Sequence, residues 1–171
     1  MNLESLIRDV PDFPKKGIIF KDITPLVGSP EGFREAINLL KNRYEGRGIE
    51  RVIAIEARGF IFGAALAYAL GVGFVPVRKP GKLPAETIRE EYALEYGTDA
   101  IEIHSDAVRA GQQVLVLDDV LATGGTLAAT CNLVRKLGAE IVEVATLIEL
   151  AFLNGRAKLG NVPYYTVLRV G

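Results

Sequence analysis

An α/β fold, with a mainly parallel central sheet and helices on both of its faces, is the class this sequence predicts, and three observations carry it. Apolar runs without polar alternation, such as "VLVL" at 114–117, read as strands covered on both faces. Segments of helical spacing separate these runs, giving a βαβ rhythm. The stretch "VLVLDDVLATGGTLAA" (114–129) sets two adjacent acids and a loop of small residues after such a run, where open parallel sheets place their ligand crevices.

The elements follow in order. "DVPDFPKKGIIFKDITPL" (9–26) is too broken by proline to join the regular core, so residues 1–28 form a separate N-terminal segment. "SPEGFREAINLLKNRY" (29–44) predicts a helix, with Ser29 as N-cap, Pro30 at the first helical position, and Phe33, Ile37, Leu40 and Tyr44 on one face. "RVIAIEA" (51–57) predicts a buried strand, "GFIFGAALAYAL" (59–70) a largely buried helix, and "GFVPV" (73–77) another strand. The following "RKPGKLPAETIREE" holds two prolines, a glycine and no apolar period, which predicts a loop of more than ten residues. "YALEYG" and "AIEIH" predict a pair of short strands, and the acids after Leu117 mark the end of the next strand. A helix runs to about Leu137 with Gly138 capping it, and "IVEVATLIEL" (141–150) predicts a further strand.

Composition narrows the chemistry. At 171 residues the chain is expected to be a single domain, with 1–28 as an appendage. A formal net charge of −1 argues against a general nucleic-acid binder, whose phosphate contacts demand a basic excess. One cysteine, Cys131, and one histidine, His104, leave neither a disulfide framework nor a His/Cys metal cluster. The start "MNLESLIRDV" lacks the pattern of a signal peptide, and no apolar run approaches the ~20 residues of a membrane span. The expectation is a cytoplasmic protein with no membrane or nucleic-acid partner.

Between a strand and a helix, Ala122, Thr123, Gly124, Gly125 and Thr126 can offer converging backbone N–H groups and hydroxyls to an anion. The loop lacks the Gly-Lys-Ser/Thr ending of a Walker loop and the G-x-G-x-x-G of a dinucleotide site. Asp118 and Asp119 beside a phosphate are electrostatically adverse unless they grip hydroxyls or a divalent cation. A sugar phosphate with vicinal hydroxyls satisfies both demands. A T-G-G-T turn alone could be an ordinary βα connection; the two acids make it specific.

These residues resemble the phosphoribosyl pyrophosphate signature of the type I phosphoribosyltransferases. "DFPKKGIIFKDITPL", "EARGFIFG", "VRKPGKLP" and "LEYGTDAIEIH" narrow the resemblance to the adenine branch, over nearly the whole chain. The resemblance implies a type I phosphoribosyltransferase-like fold with a small base-binding hood, and a reaction joining adenine to phosphoribosyl pyrophosphate to give AMP and pyrophosphate. It implies that Asp118 and Asp119 meet the ribose hydroxyls while 122–126 holds the 5-phosphate. Ala57, Arg58 and Gly59 would meet the diphosphate, after a peptide between Glu56 and Ala57 that is strained or cis. Arg78, Lys79 and Lys82, with Arg89, set a local basic excess against the single acid Glu86 and resemble a mobile loop closing over pyrophosphate. Ile19, Phe20 and Leu150 would wall the purine; Lys21 stands where relatives often carry arginine. Glu95, in "LEYG", is the expected proton-transfer group, with Arg58 and Lys82 completing the catalytic set. Mg²⁺ is expected to arrive on the substrate diphosphate with help from Asp118 and Asp119, and a homodimer is implied because some lid cations reach the neighbouring site. The alternatives are a transferase for 6-oxopurines or orotate, and a ligand-sensing regulator on the same fold. The regulator is disfavoured by chain length and net charge.

Overall fold

The computed structural model describes residues 1–94 and 96–171. The chain opens with a 3₁₀ turn, Leu3–Leu6, and an antiparallel ribbon of β1 (Arg8–Pro11) and β2 (Ile19–Asp22). Helices α1 (Thr24–Gly28) and α2 (Pro30–Tyr44) follow, and then β3 (Arg51–Ile55), α3 (Arg58–Leu70) and β4 (Gly73–Val77). A hairpin of β5 (Thr87–Ala93) and β6 (Thr98–His104) leads to β7 (Gln113–Leu121), α4 (Gly125–Lys136) and β8 (Glu140–Leu150). Two 3₁₀ turns, Ala151–Leu153 and Gly155–Leu159, precede β9 (Tyr164–Val170).

The central sheet is parallel throughout, in the order β4-β3-β7-β8-β9. One face packs against α2 and α3 through Leu40, Phe62 and Leu66, and the other against α4 and the β5–β6 hairpin through Leu127, Leu133, Ile101 and Ile103. Because both faces are covered, Val114, Leu115, Val116 and Leu117 are all fully buried, as their unbroken apolar run requires. Each such side chain withdrawn from water contributes about 1.5–3 kcal/mol. The N-cap of α2 is Ser29, whose Oγ accepts from the Gly32 N–H at 3.1 Å, and Gly138 takes the left-handed turn beyond α4 with φ 82°.

Three boundaries differ from the sequence expectation, and one strand of the central sheet was absent from it. β3 ends at Ile55 rather than continuing to Ala57: the Glu56 N–H still bonds the Val77 carbonyl at 3.0 Å, but the chain turns at 56–57 to begin α3 at Arg58. β7 continues through both acids to Leu121, held by β8 alone once β3 has ended. The loop after β4 spans only 78–86, because the hairpin's first strand is Thr87–Ala93 rather than the expected 92–97; Arg89 therefore belongs to β5, beside Glu91 at 3.7 Å, rather than to the basic loop. β9 is an edge strand with every residue half-buried or exposed, so it lacks the apolar run that marked the inner strands.

Candidate functional site

The neighbours β3 and β7 lead in opposite directions: after β3 the chain crosses to β4, and after β7 it crosses to β8. Such a switch point opens a crevice at the carboxyl ends of the two strands. Each strand feeds a helix there. Ala57 caps α3 and Gly124 caps α4, and neither makes a side-chain capping bond. The first-turn N–H groups of both helices therefore carry unsatisfied donor capacity and the positive end of each dipole. The peptide joining Glu56 to Ala57 is cis, as the resemblance implied.

The acids stand between these helix starts. Pairing of β7 with β3 stops at Leu117, whereas pairing with β8 continues from Asp118↔Thr146 to Leu121↔Glu149, so the acids lie on a half-covered stretch of strand. A Cβ on Gly59 would lie 2.8 Å from Asp118 Oδ1, so glycine is what lets α3 begin beside this carboxylate. Some of the Asp118 surface reaches solvent, yet dense protein surrounds its carboxyl group. Burial first, and then the Asp119 charge, raise its pKa well above the ordinary range. Asp119 is 5% exposed. The Arg58 Nε lies 2.8 Å from its Oδ2, but this close charge contact lacks hydrogen-bond geometry, and that buried oxygen has no hydrogen-bond partner.

Beyond the acids a cavity of about 80 Å³ is lined by Asp118, Val120 and residues 121–127. Ala122, Thr123, Gly124, Gly125 and Thr126 are thus all brought to one concave surface. Gly124 has φ 92°, and a Cβ there would meet the Gly155 carbonyl oxygen at 2.5 Å. A Cβ on Gly155 would in turn meet the Ala122 carbonyl at 2.4 Å. The segment after β8 is pressed directly onto the loop after β7.

The cations are placed differently. Arg58 heads α3, touches Asp119 and stacks over the half-buried Phe20 ring at 4.9 Å, linking sheet and ribbon. Arg78 is tied back to Glu56 at 3.2 Å. Lys79 is bound to Asp99 and to the Tyr92 hydroxyl; burial opposes its charge, but these bonds outweigh burial and raise its pKa. Lys82 is exposed and forms no ion pair among the described residues. Ile19 is 58% exposed, and Leu150 is half-buried at the end of β8. Lys21 bonds Asp9 across the ribbon at 2.6 Å and lines a cavity of about 250 Å³ with Ile7, Ile148, Leu168 and Val170. His104 Nε2 accepts the Ala85 N–H at 3.3 Å, a structural contact. Glu95 lies outside the described residues.

Sequence reasoning passed over Glu56, Asp99, Tyr92, Glu149 and Arg156. Glu56 stood inside a quoted motif and was open to notice. The others are joined only by folding: Glu149, 2% exposed at the end of β8, accepts from Arg156 Nε at 2.6 Å and Nη2 at 2.8 Å.

Among the described residues, no helix is long and apolar enough to cross a membrane. Residues 25–168 match the phosphoribosyl transferase domain family. An adenine phosphoribosyltransferase of Geobacter metallireducens is 58% identical over 166 residues, covering 97% of each chain. The crystal structure of adenine phosphoribosyltransferase from Thermoanaerobacter pseudethanolicus superposes with a TM-score of 0.96 at 54% identity, over 98% of each chain. That of the Saccharomyces cerevisiae enzyme, complexed with an imino-altritol bisphosphate and adenine, gives 0.93 at 44% identity, over 97% of this chain and 96% of that one.

Proposed function

The chain belongs to the adenine phosphoribosyltransferases, within the phosphoribosyl transferase domain family, and from that premise we propose how its residues divide the work. The reaction converts adenine and phosphoribosyl pyrophosphate to AMP and pyrophosphate: the bond from the ribose C1 to the diphosphate oxygen breaks, and a bond from C1 to adenine N9 forms. One observation carries the assignment of the sugar site. Asp119 holds a buried carboxylate oxygen without a hydrogen-bond partner, set between two uncapped helix starts. Such an oxygen calls for a donor, and a ribose hydroxyl supplies one beside a helix N-terminus suited to phosphate.

In this reading Asp118 and Asp119 receive the ribose hydroxyls, and Ala122, Thr123, Gly124, Gly125 and Thr126 cradle the 5-phosphate. Ala57, Arg58 and Gly59 take the diphosphate at the start of α3. Arg78, Lys79 and Lys82 supply the surrounding positive charge, Lys82 as the cation free to move toward the leaving group. Ile19, Phe20, Lys21 and Leu150 bound the purine, with the Phe20 ring as its apolar wall. Glu95 moves the proton of the incoming base. Asp118 and Asp119 would help hold a Mg²⁺ carried by the substrate diphosphate, and the ion would supply positive charge against the leaving pyrophosphate.

The chain acts as one unit with 1–28 as its hood, in a homodimer for which α3 offers the exposed Ile61 and Tyr68, 38% and 90% accessible. A cytoplasmic setting fits the single, buried cysteine. The test is pyrophosphate release with adenine, hypoxanthine, guanine and orotate in parallel. Turnover with adenine and little with the others is expected. Preference for an oxopurine or orotate would reassign the base, and no turnover with any would favour a regulator.

A further inference from the structure

Glu149 is a charged side chain with 2% exposure, and burial of a lone carboxylate is costly. It is satisfied by two arginines: Arg156, outside the sheet, forms two aligned bonds to its two oxygens, and Nε of Arg169, its register partner on β9, lies 3.4 Å from one of them. The Arg156 guanidinium also stacks on Tyr164 at 4.8 Å, so its orientation is held on two sides. This pair lies level with the end of β7, because Leu121 and Glu149 are register partners. Between the two residues of the pair the chain makes a left-handed turn at Asn154, φ 53°, and delivers Gly155 onto the small-residue loop. There the two backbones interleave: each of Gly124 and Gly155 lacks the Cβ that would strike the other segment's carbonyl. Leu159, at the end of the same turn, joins the buried cluster containing Leu127 of α4.

The pair lies outside the groups assigned to substrate and brackets Gly155 in sequence, and Gly155 backs the loop at Ala122 and Gly124. We propose that the Glu149–Arg156 ion pair is a positioning device for the phosphate cradle, holding the 154–159 segment as the rigid backing of residues 122–125. This rests on 122–126 being the 5-phosphate loop. A cradle built from backbone N–H groups is only as good as their alignment, and misplacement of about 1 Å can cost up to ~10²-fold.

The experiment compares the full-length parent with Arg156→Met and Arg156→Lys. Methionine keeps the apolar stem and removes the guanidinium, while Arg169 remains to partner Glu149. Calorimetry with ribose 5-phosphate and, separately, inorganic pyrophosphate reads the two anion sites, and steady-state kinetics reads KM and kcat. For Arg156→Met, ribose 5-phosphate affinity should fall about tenfold, with a matching rise in KM for phosphoribosyl pyrophosphate. Pyrophosphate affinity, KM for adenine and saturated kcat should stay within about twofold, and Arg156→Lys should recover part of the loss. Unchanged ribose 5-phosphate affinity in Arg156→Met would overturn the proposal. So would a uniform loss in both anion sites, kcat and melting temperature, which would mark the pair as general scaffolding. If the parent itself fails to bind ribose 5-phosphate, the assignment of the loop falls and this proposal falls with it.

Discussion

The neighbouring strands β7 and β8 each bury a carboxylate near their carboxyl ends, and the two carboxylates are treated in opposite ways. Glu149 on β8 has both oxygens occupied by aligned arginine N–H groups, with a further arginine beside it. Asp119 on β7 has one oxygen buried beside a misaligned arginine and without a hydrogen bond, and it adjoins Asp118, whose pKa is raised by burial and by the Asp119 charge. The first arrangement is complete within the chain. The second is incomplete within the chain, and in the proposed reading the ribose hydroxyls complete it.

The largest effect is expected from a residue in neither group. Glu95→Gln should leave both substrates bound nearly normally while kcat falls by ~10² to 10⁴-fold, because positioned acid–base catalysis contributes on that scale. Steady-state kinetics at saturation decide it, and an unchanged kcat would remove Glu95 from the mechanism.

The combined Asp118→Asn and Asp119→Asn variant should lose about 10²-fold or more in phosphoribosyl pyrophosphate affinity, since each charge-assisted bond is worth about 1.5–3 kcal/mol. Its melting temperature should nonetheless equal or exceed the parent's at pH 8. The Asp118 pKa is raised in the folded state, first by burial, so the folded chain holds that proton more tightly than the unfolded one. Parent stability therefore declines as pH rises from about 3.9 through the folded value, and the amide escapes this penalty. A clear drop in melting temperature would make these acids structural and erase the contrast with Glu149.

Gly124→Ala places a Cβ 2.5 Å from the Gly155 carbonyl at a φ of 92°. A cost of about 1–3 kcal/mol in stability is expected, with weaker sugar-phosphate binding. Chemical denaturation and calorimetry would measure both, and a neutral result would mean that the two segments part easily.

The smallest effect concerns the completed carboxylate. Arg156 hydrogen bonds hold the Glu149 carboxyl below its usual range despite burial. With the folded pKa below the unfolded value of about 4.3, the stabilisation is fully present above that pH and is lost as pH falls through the folded value. Arg156 is half-exposed, so Arg156→Met should lower stability by about 1 kcal/mol at pH 7, or about 3 °C, with the gap from the parent closing in acid. A gap independent of pH would assign the loss to the arginine's packing on Tyr164 instead.

Much of this arrangement was legible in the chain. The inner strands announced themselves because a strand covered on both faces has no polar alternation. The concave loop at 122–126 was legible because small residues stand between an apolar strand and a helix-forming run. Less legible were β9, whose half-buried edge carries no unbroken apolar signature, and the restraint of Lys79 by Asp99 and Tyr92, since a residue's partner in a hairpin depends on register.

By itself the sequence determined the local content: which segments become strands and helices, which loop has the backbone freedom to meet a phosphate, and which acids precede it. Periodicity, caps and glycine are properties of a few consecutive residues, and they act at short range. Tertiary structure alone decided that α3 begins beside Asp118, that Arg58 touches both Asp119 and Phe20, that Gly155 backs the loop at Ala122 and Gly124, and that Arg156 bonds Glu149. These contacts join residues from separate strands, and their geometry follows from sheet order and register, which no local pattern encodes.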